Sequence, residues 1–394
     1  MGLEKRKGGK LTPETLRREA KSAVACHNAQ ISDKLGRFHR FSLNALSNSR
    51  AMSSDAPRRV FSPQFLGLLA KAVVALAIFH AAFLFLVWFP DNWMRADRFR
   101  DFTVYFDAAL RLKNGAPLYQ IWPDYTPADF PSRFFYPPPF LLLTRPLVEF
   151  DYIWFGRIWT TFLLVAFWIY ALCLAKLSTG KTGLRAVLVA GLAINLCPRG
   201  YAALGYGNFE PVMWACYGIA LSTSFRAAPL AFAAMIKLHP VWVLALVIRN
   251  EGKRAFWTAF AVIVGGFTFG IWLCGWQNAL NWWPATSPVV SQGTFVPDNV
   301  SISFALIRFF EFVGWIQRDL PLPIWAKAYL SMMALGAPLT ALILTRHQPQ
   351  NLRYALIACA TILFAPLCWS IYLPLLLAPA AIWARQISLA KSGA

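Results

Sequence analysis

The run FLGLLAKAVVALAIFHAAFLFLVWF, Phe65–Phe89, carries only Lys71 and His80 as ionisable groups. An apolar stretch of about 18–25 residues is what a helix needs to cross the hydrocarbon layer of a bilayer. Inside that layer only helices and closed barrels satisfy their own backbone groups. Further apolar runs fall near residues 154–175, 184–204, 210–224, 255–275, 323–345 and 352–386. The chain therefore reads as an all-α polytopic membrane protein. Composition agrees: about a quarter of a soluble domain is charged, whereas 14% of this chain is, with a mean hydropathy of +0.46.

The net charge of +20 does not imply nucleic acid as a partner. Thirteen basic residues precede residue 62, against five acids, and others stand at the borders of apolar runs, such as Lys176, Lys181, Arg185, Arg226 and Arg249. Such charge sets topology, because positive loops stay cytoplasmic. Residues 1–62 read as a disordered basic cytoplasmic tail in contact with membrane lipids, and residues 63–394 as one membrane domain. The first span then ends outside, and the loop near 90–135 is extracytoplasmic. That loop holds six of the eighteen acids and six basic residues, so it has no net charge. A second outer loop is expected near 275–301. The seven cysteines form no CxxC pair or His/Cys cluster, so neither a metal nor a cofactor is indicated.

Two runs do not suit a simple crossing. YPPPFLLLTRPLVEF, 136–150, is short and broken by proline, and is expected at or dipping into the interface. AAPLAFAAMIKLHPVWVLALVI, 227–248, has arginine beyond both ends and Lys237, His239 and Pro240 in its middle. Two short helices turning at KLHP satisfy both facts. In 352–386, Pro366, Pro374 and Pro379 predict a broken span.

Few residues here are equipped for chemistry. Asp101 opens a segment with Phe102, Tyr105 and Leu112 on one helical stripe, which reads as an interfacial helix. A carboxylate at the membrane surface can serve as a general base toward a hydroxyl; it can equally be a solvated acid or a helix cap. Lys237 within an apolar run suits an anionic phosphate, or snorkels to the interface. His239 joins it or packs against neighbours. Glu210 complements a helix dipole or binds a sugar hydroxyl, with Asn208 beside it. Trp276, Trp282 and Trp283 belong to an interfacial aromatic belt or stack on a ligand.

Four stretches in order, DFTVYFDAALRLKNGAPLY, YPPPFLLLTRPL, AAMIKLHPVWVLALVIRNEGKRAFW and APLCWSIYLPLLLAPA, with NVSISFALIRF before the last, resemble glycosyltransferase family 87. These are polyprenol-phosphate-mannose-dependent mannosyltransferase-like proteins of the GT-C superfamily. The resemblance spans roughly 65–386. It implies a GT-C-type bundle of about 8–11 transmembrane or re-entrant helices, with interfacial helices in the first extracytoplasmic loop. It also implies transfer of a sugar, mannose in most relatives, from a polyprenyl phosphate to a hydroxyl of a lipid or glycan acceptor, on the extracytoplasmic face of the bacterial inner membrane. The Asp opening DFxxY is the family's expected base, which selects Asp101 over Asp97 and Asp107. Lys237, His239 and Arg308 become candidates for the donor phosphate, and Tyr105, Asn208, Glu210 and Tyr372 for sugar or acceptor. A single displacement with inversion suits one carboxylate base, and the lipid phosphate leaves without a metal.

Two positions depart from the family pattern. Tyr206 stands before GN where a Gln is frequent, and Trp369 is followed by Ser370, Ile371 and Tyr372 where one or two His are frequent. Tyr372 or His239 would then supply the missing contacts. A transporter or lipid-linked-glycan flippase, or a non-catalytic membrane scaffold, are the readings from other classes. The first would need intramembrane charge along a continuous path and internal repeats; the sequence has only Lys237 so placed, and no repeat.

Overall fold

A computed structural model of the chain describes residues 62–94, 100–119, 134–197 and 199–392. Most of the expected tail, together with Asp97, Asp124 and Asp129 of the acidic loop, lies outside the described residues. Among those described, the fold is helical without a strand, and five helices are long and apolar enough to cross a membrane. The protein is an integral membrane protein of all-α class.

Helix α1, Pro63–Phe83, runs on through a π-helical turn, Leu84–Trp88, into Phe89–Met94, so the first loop begins later than residue 90. Helix α2, Arg100–Lys113, follows, with Phe102, Tyr105, Ala108 and Ala109 buried along one face. The proline-rich run after it packs into the bundle. It winds through short turns over Pro138–Glu149, with Pro138, Pro139, Phe140 and Leu141 buried.

Helix α3, Tyr152–Thr179, is the centre of the bundle: 61% of its apolar window is buried, against 22% or less in the other four spans. Asp151 caps it, accepting from Trp154 N at 2.8 Å. The other long spans are α9, Lys253–Cys274, and α12, Ile324–Leu344, besides α1 and the C-terminal segment Ser370–Ala390. Their exposed Leu, Ile, Phe and Trp side chains face outward, where acyl chains solvate them.

Between these run shorter helices whose ends are dictated by proline. Residues 184–204 are not one span but α4, Leu184–Leu196, and α5, Gly200–Gly205. Cys197 is extended (φ −63, ψ 137) because it precedes Pro198, and a residue before proline is pushed out of the helical region. Helix α6 covers Glu210–Ser222, α7 Ala227–Ile236 and α8 Val241–Glu251. The break between α7 and α8 falls at Lys237 (φ −138, ψ 134), at the KLHP expected to turn. Each half is only about 15 Å long, half a bilayer.

The run expected as a second outer loop is mostly helix: α10 covers Trp276–Gln292 and contains Pro284 and Pro288. Spaced four apart, these prolines remove backbone bonds on one side only, and the rest of the helix holds. Helices α11, Ile302–Phe312, and α13, Gln350–Leu363, precede a 3-10 stretch, Ser370–Leu376, and α14, Leu377–Ser392. The last run is thus broken, as its prolines predict.

Lipid tails are as apolar as leucine, so close packing and hydrogen bonds, rather than transfer from water, hold such helices together. One contact shows how close. A Cβ on Gly270 of α9 would lie 2.6 Å from the backbone of Pro138 and Pro139, so only glycine lets the proline-rich turn press onto that span.

Candidate active site

Helix α2 is fastened at both ends. At its C-terminal end Lys113 bonds Glu149 at 2.8 Å, and Arg145 bonds the same carboxylate at 2.6 Å. At its N-terminal end the backbone N–H groups of Asp101 (2.9 Å) and Phe102 (3.4 Å) donate to the Tyr206 carbonyl. Between them Phe102 packs on Phe155 and Tyr152, with ring centroids 4.8 and 5.1 Å away. Asp101 is thereby turned inward, while Asp107, two turns on, is exposed.

The Asp101 carboxylate accepts a hydrogen bond from Asn208 Nδ2 at 2.6 Å. Asn208 in turn uses its Oδ1 to cap α6, accepting from Glu210 N at 2.9 Å. Burial pushes the Asp101 carboxyl above its ordinary range, opposed by the Asn208 hydrogen bond and by the charges of Lys237 and Arg100. A carboxylate made more basic by its surroundings, yet kept ionised by a donor and a nearby cation, is suited to take a proton from a hydroxyl.

Glu210, the first residue of α6, is fully buried and forms an ion pair with Lys237, which the α7–α8 break presents. Lys237 Nζ also donates to Tyr372 Oη at 3.2 Å and lies 4.6 and 5.5 Å from the ring centroids of Tyr372 and Tyr136. His239 bonds through Nδ1 to Tyr217 Oη at 3.0 Å, and its ring is 6.0 Å from that of Tyr372. Two buried polar atoms beside this cation have no partner among the described residues, Glu210 Oε2 and His239 Nε2. A buried polar atom without a partner calls for an explanation, such as a ligand group that supplies one.

Tyr105 is buried, its hydroxyl 3.0 Å from that of Tyr136. Arg308 belongs elsewhere. Its guanidinium donates to the Val296 carbonyl at 2.8 Å and lies 5.7 Å from the Phe304 ring, and none of its contacts reaches Lys237. Trp282 donates to the Phe135 carbonyl at 3.1 Å, a packing role, while Trp276 and Trp283 are exposed.

The NVS segment is structural. Buried Asn299 donates to the carbonyls of Thr294 and Pro366, both at 3.0 Å, and accepts from the N–H of Cys368 at 2.9 Å. Residues 298–300 pair with 368–370 through Val300 N to Cys368 O (2.6 Å) and Ser370 N to Asp298 O (2.9 Å). This short antiparallel bridge sets the position from which Tyr372 reaches Lys237.

The site also gathers residues that pattern reading passed over: Tyr136, Tyr217, Asp298 and Arg199. Arg199 follows Pro198 in the α4–α5 break and is the one non-glycine residue with positive φ (63) among those described. Its Nη1 donates to Tyr206 Oη at 2.9 Å and its Nη2 pairs with Asp298 at 2.8 Å. The signal was present in CPRGY, an arginine between proline and glycine inside an apolar run.

A family model, glycosyltransferase family 87, matches residues 134–370. The match takes in Asn208, Glu210, Lys237 and His239, and begins after Asp101. No match is found among curated proteins or among solved structures.

Proposed function

Because the chain belongs to glycosyltransferase family 87 and is a membrane glycosyltransferase, we propose that it moves a sugar from a polyprenyl phosphate to a hydroxyl of a lipid or glycan acceptor, with Asp101 as the base. Mannose is the sugar the resemblance favours. The positive-inside pattern supports an extracytoplasmic site in a bacterial inner membrane.

The observation that carries this reading is the convergence of Asp101, held by Asn208, on the buried Glu210–Lys237 pair. The acceptor hydroxyl lies against Asp101 and loses its proton to it as the oxygen attacks the anomeric carbon. The bond from that carbon to the phosphate oxygen breaks on the opposite face, which inverts the configuration. The electron pair leaves with the phosphate, whose charge grows by one as the Asp101 charge is cancelled. Lys237 supplies a fixed cation toward that leaving group, with His239 and Tyr372 around it, while Asn208 and Glu210 Oε2 meet sugar hydroxyls.

The test is transfer in native membranes from radiolabelled polyprenyl-phosphate sugars, wild type beside Asp101→Asn. Loss of a positioned base is expected to cost about 10²–10⁴-fold in rate with the protein still folded. Undiminished transfer by folded Asp101→Asn would remove Asp101 from this role.

A further inference from the structure

The fixed cation of this site, Lys237, carries a permanent counter-ion of its own. Lys237 is neutralised by Glu210, whose fully buried carboxylate has nowhere to withdraw to. On the proposed reaction the leaving phosphate ends with one more negative charge than it brought, so a second cation with a movable counter-ion is called for. Arg199 has that character. Its side chain is 44% exposed and its partner Asp298 34%, so the pair can part into solvent at little cost. It stands one tyrosine from the base: Tyr206 takes the Asp101 N–H on its carbonyl and the Arg199 guanidinium on its hydroxyl.

The backbone supplies a second, independent observation. A non-glycine residue in the left-handed region is strained, and such strain persists where the surrounding structure imposes it. Here the next residue, Gly200, is pressed against the end of α4, where a Cβ would meet the Ile194 carbonyl at 1.9 Å. The chain must therefore reverse at 199. Glycine would do so without strain, yet arginine occupies the position, and its guanidinium is held between the Tyr206 hydroxyl and Asp298. The planar fork of arginine matches two phosphate oxygens, as a lysine does not.

We propose that Arg199 binds the phosphate of the lipid-linked donor, exchanging Asp298 for it, and so determines affinity for that group. This rests on the polyprenyl-phosphate reading above. The experiment measures binding of a short-chain polyprenyl phosphate, and of the uncharged polyprenol, to the full chain in nanodiscs. Wild type is expected to prefer the phosphate. Arg199→Gly should lose about tenfold of that preference, the scale of one charge-assisted hydrogen bond, without a fall in melting temperature, since glycine accepts this φ. Arg199→Asn, also tolerant of the left-handed region, repeats the measurement. Asp298→Asn, which frees the guanidinium, should bind the phosphate at least as tightly as wild type.

Two results overturn the assignment while leaving the donor class standing. One is a phosphate preference retained in both Arg199 variants. The other is an equal loss in Asp298→Asn, which would make the pair a structural latch. A wild-type chain that binds polyprenol as well as its phosphate overturns both the assignment and the donor class.

Discussion

Asp101 shows what a single residue owes to its surroundings. Its desolvation and its donors act in opposite directions, and burial prevails, so its carboxyl sits above the ordinary carboxylate value. A base works only when deprotonated, so transfer should fall as pH drops through this raised value, and the acidic limb of kcat/KM should lie above that of a solvated aspartate. Asn208→Ala removes a group that pulls the value down, and the limb should therefore move to higher pH, with a lower plateau. A pH profile of transfer for the two proteins checks this; a limb that stays in place would separate Asn208 from the base. The role proposed for Asp101 was partly legible in the sequence, from its place on an amphipathic stretch and in DFxxY. The identity of its partner was not, because Asn208 lies 107 residues further on and spacing carries no information at that distance.

At the scale of elements, proline explains most of what the sequence predicted. KLHP and the C-terminal prolines mark breaks that the structure contains. The break at Cys197–Arg199 obeys the same rule and was passed over because apolar content runs on across it. The helix over 276–292 falls in a run expected as an outer loop. Helices α6 and α7 meet through Glu210 and Lys237, and this joint has a measurable energy. Glu210→Gln strands a buried ammonium and should cost about 3–5 kcal/mol of stability. Glu210→Leu with Lys237→Met replaces the pair by apolar groups and should recover most of that loss, while transfer stays absent. Thermal melting of the purified variants decides it: a single variant as stable as wild type would mean the pair is not held in the apolar interior that α6 and α7 form.

For the whole molecule, membrane class and the spans near 65–89, 154–175, 255–275 and 323–345 followed from apolar run length, since hydrocarbon permits few alternatives to a helix; the apolar runs at 184–204 and 210–224 gave only shorter helices. Which span is central did not follow. The first span is more apolar than α3, so it is burial rather than apolar content that sets α3 apart. Sidedness rests on charge: the loop between α1 and α3 should read as external in a topology reporter inserted between residues 120 and 133. A cytoplasmic signal there would invert the arrangement and set the site on the wrong face for an exported donor.

The bond between Lys237 and Tyr372 bears on biosynthesis. These partners are 135 residues apart, and at ribosomal speeds of about 5–20 residues per second the second emerges on the order of ten seconds after the first. Until then the floor of the site is incomplete, whatever the state of Asp101. With Tyr372 at the donor phosphate as proposed, transfer is gained only once the C-terminal segment has entered the bilayer and closed on the rest.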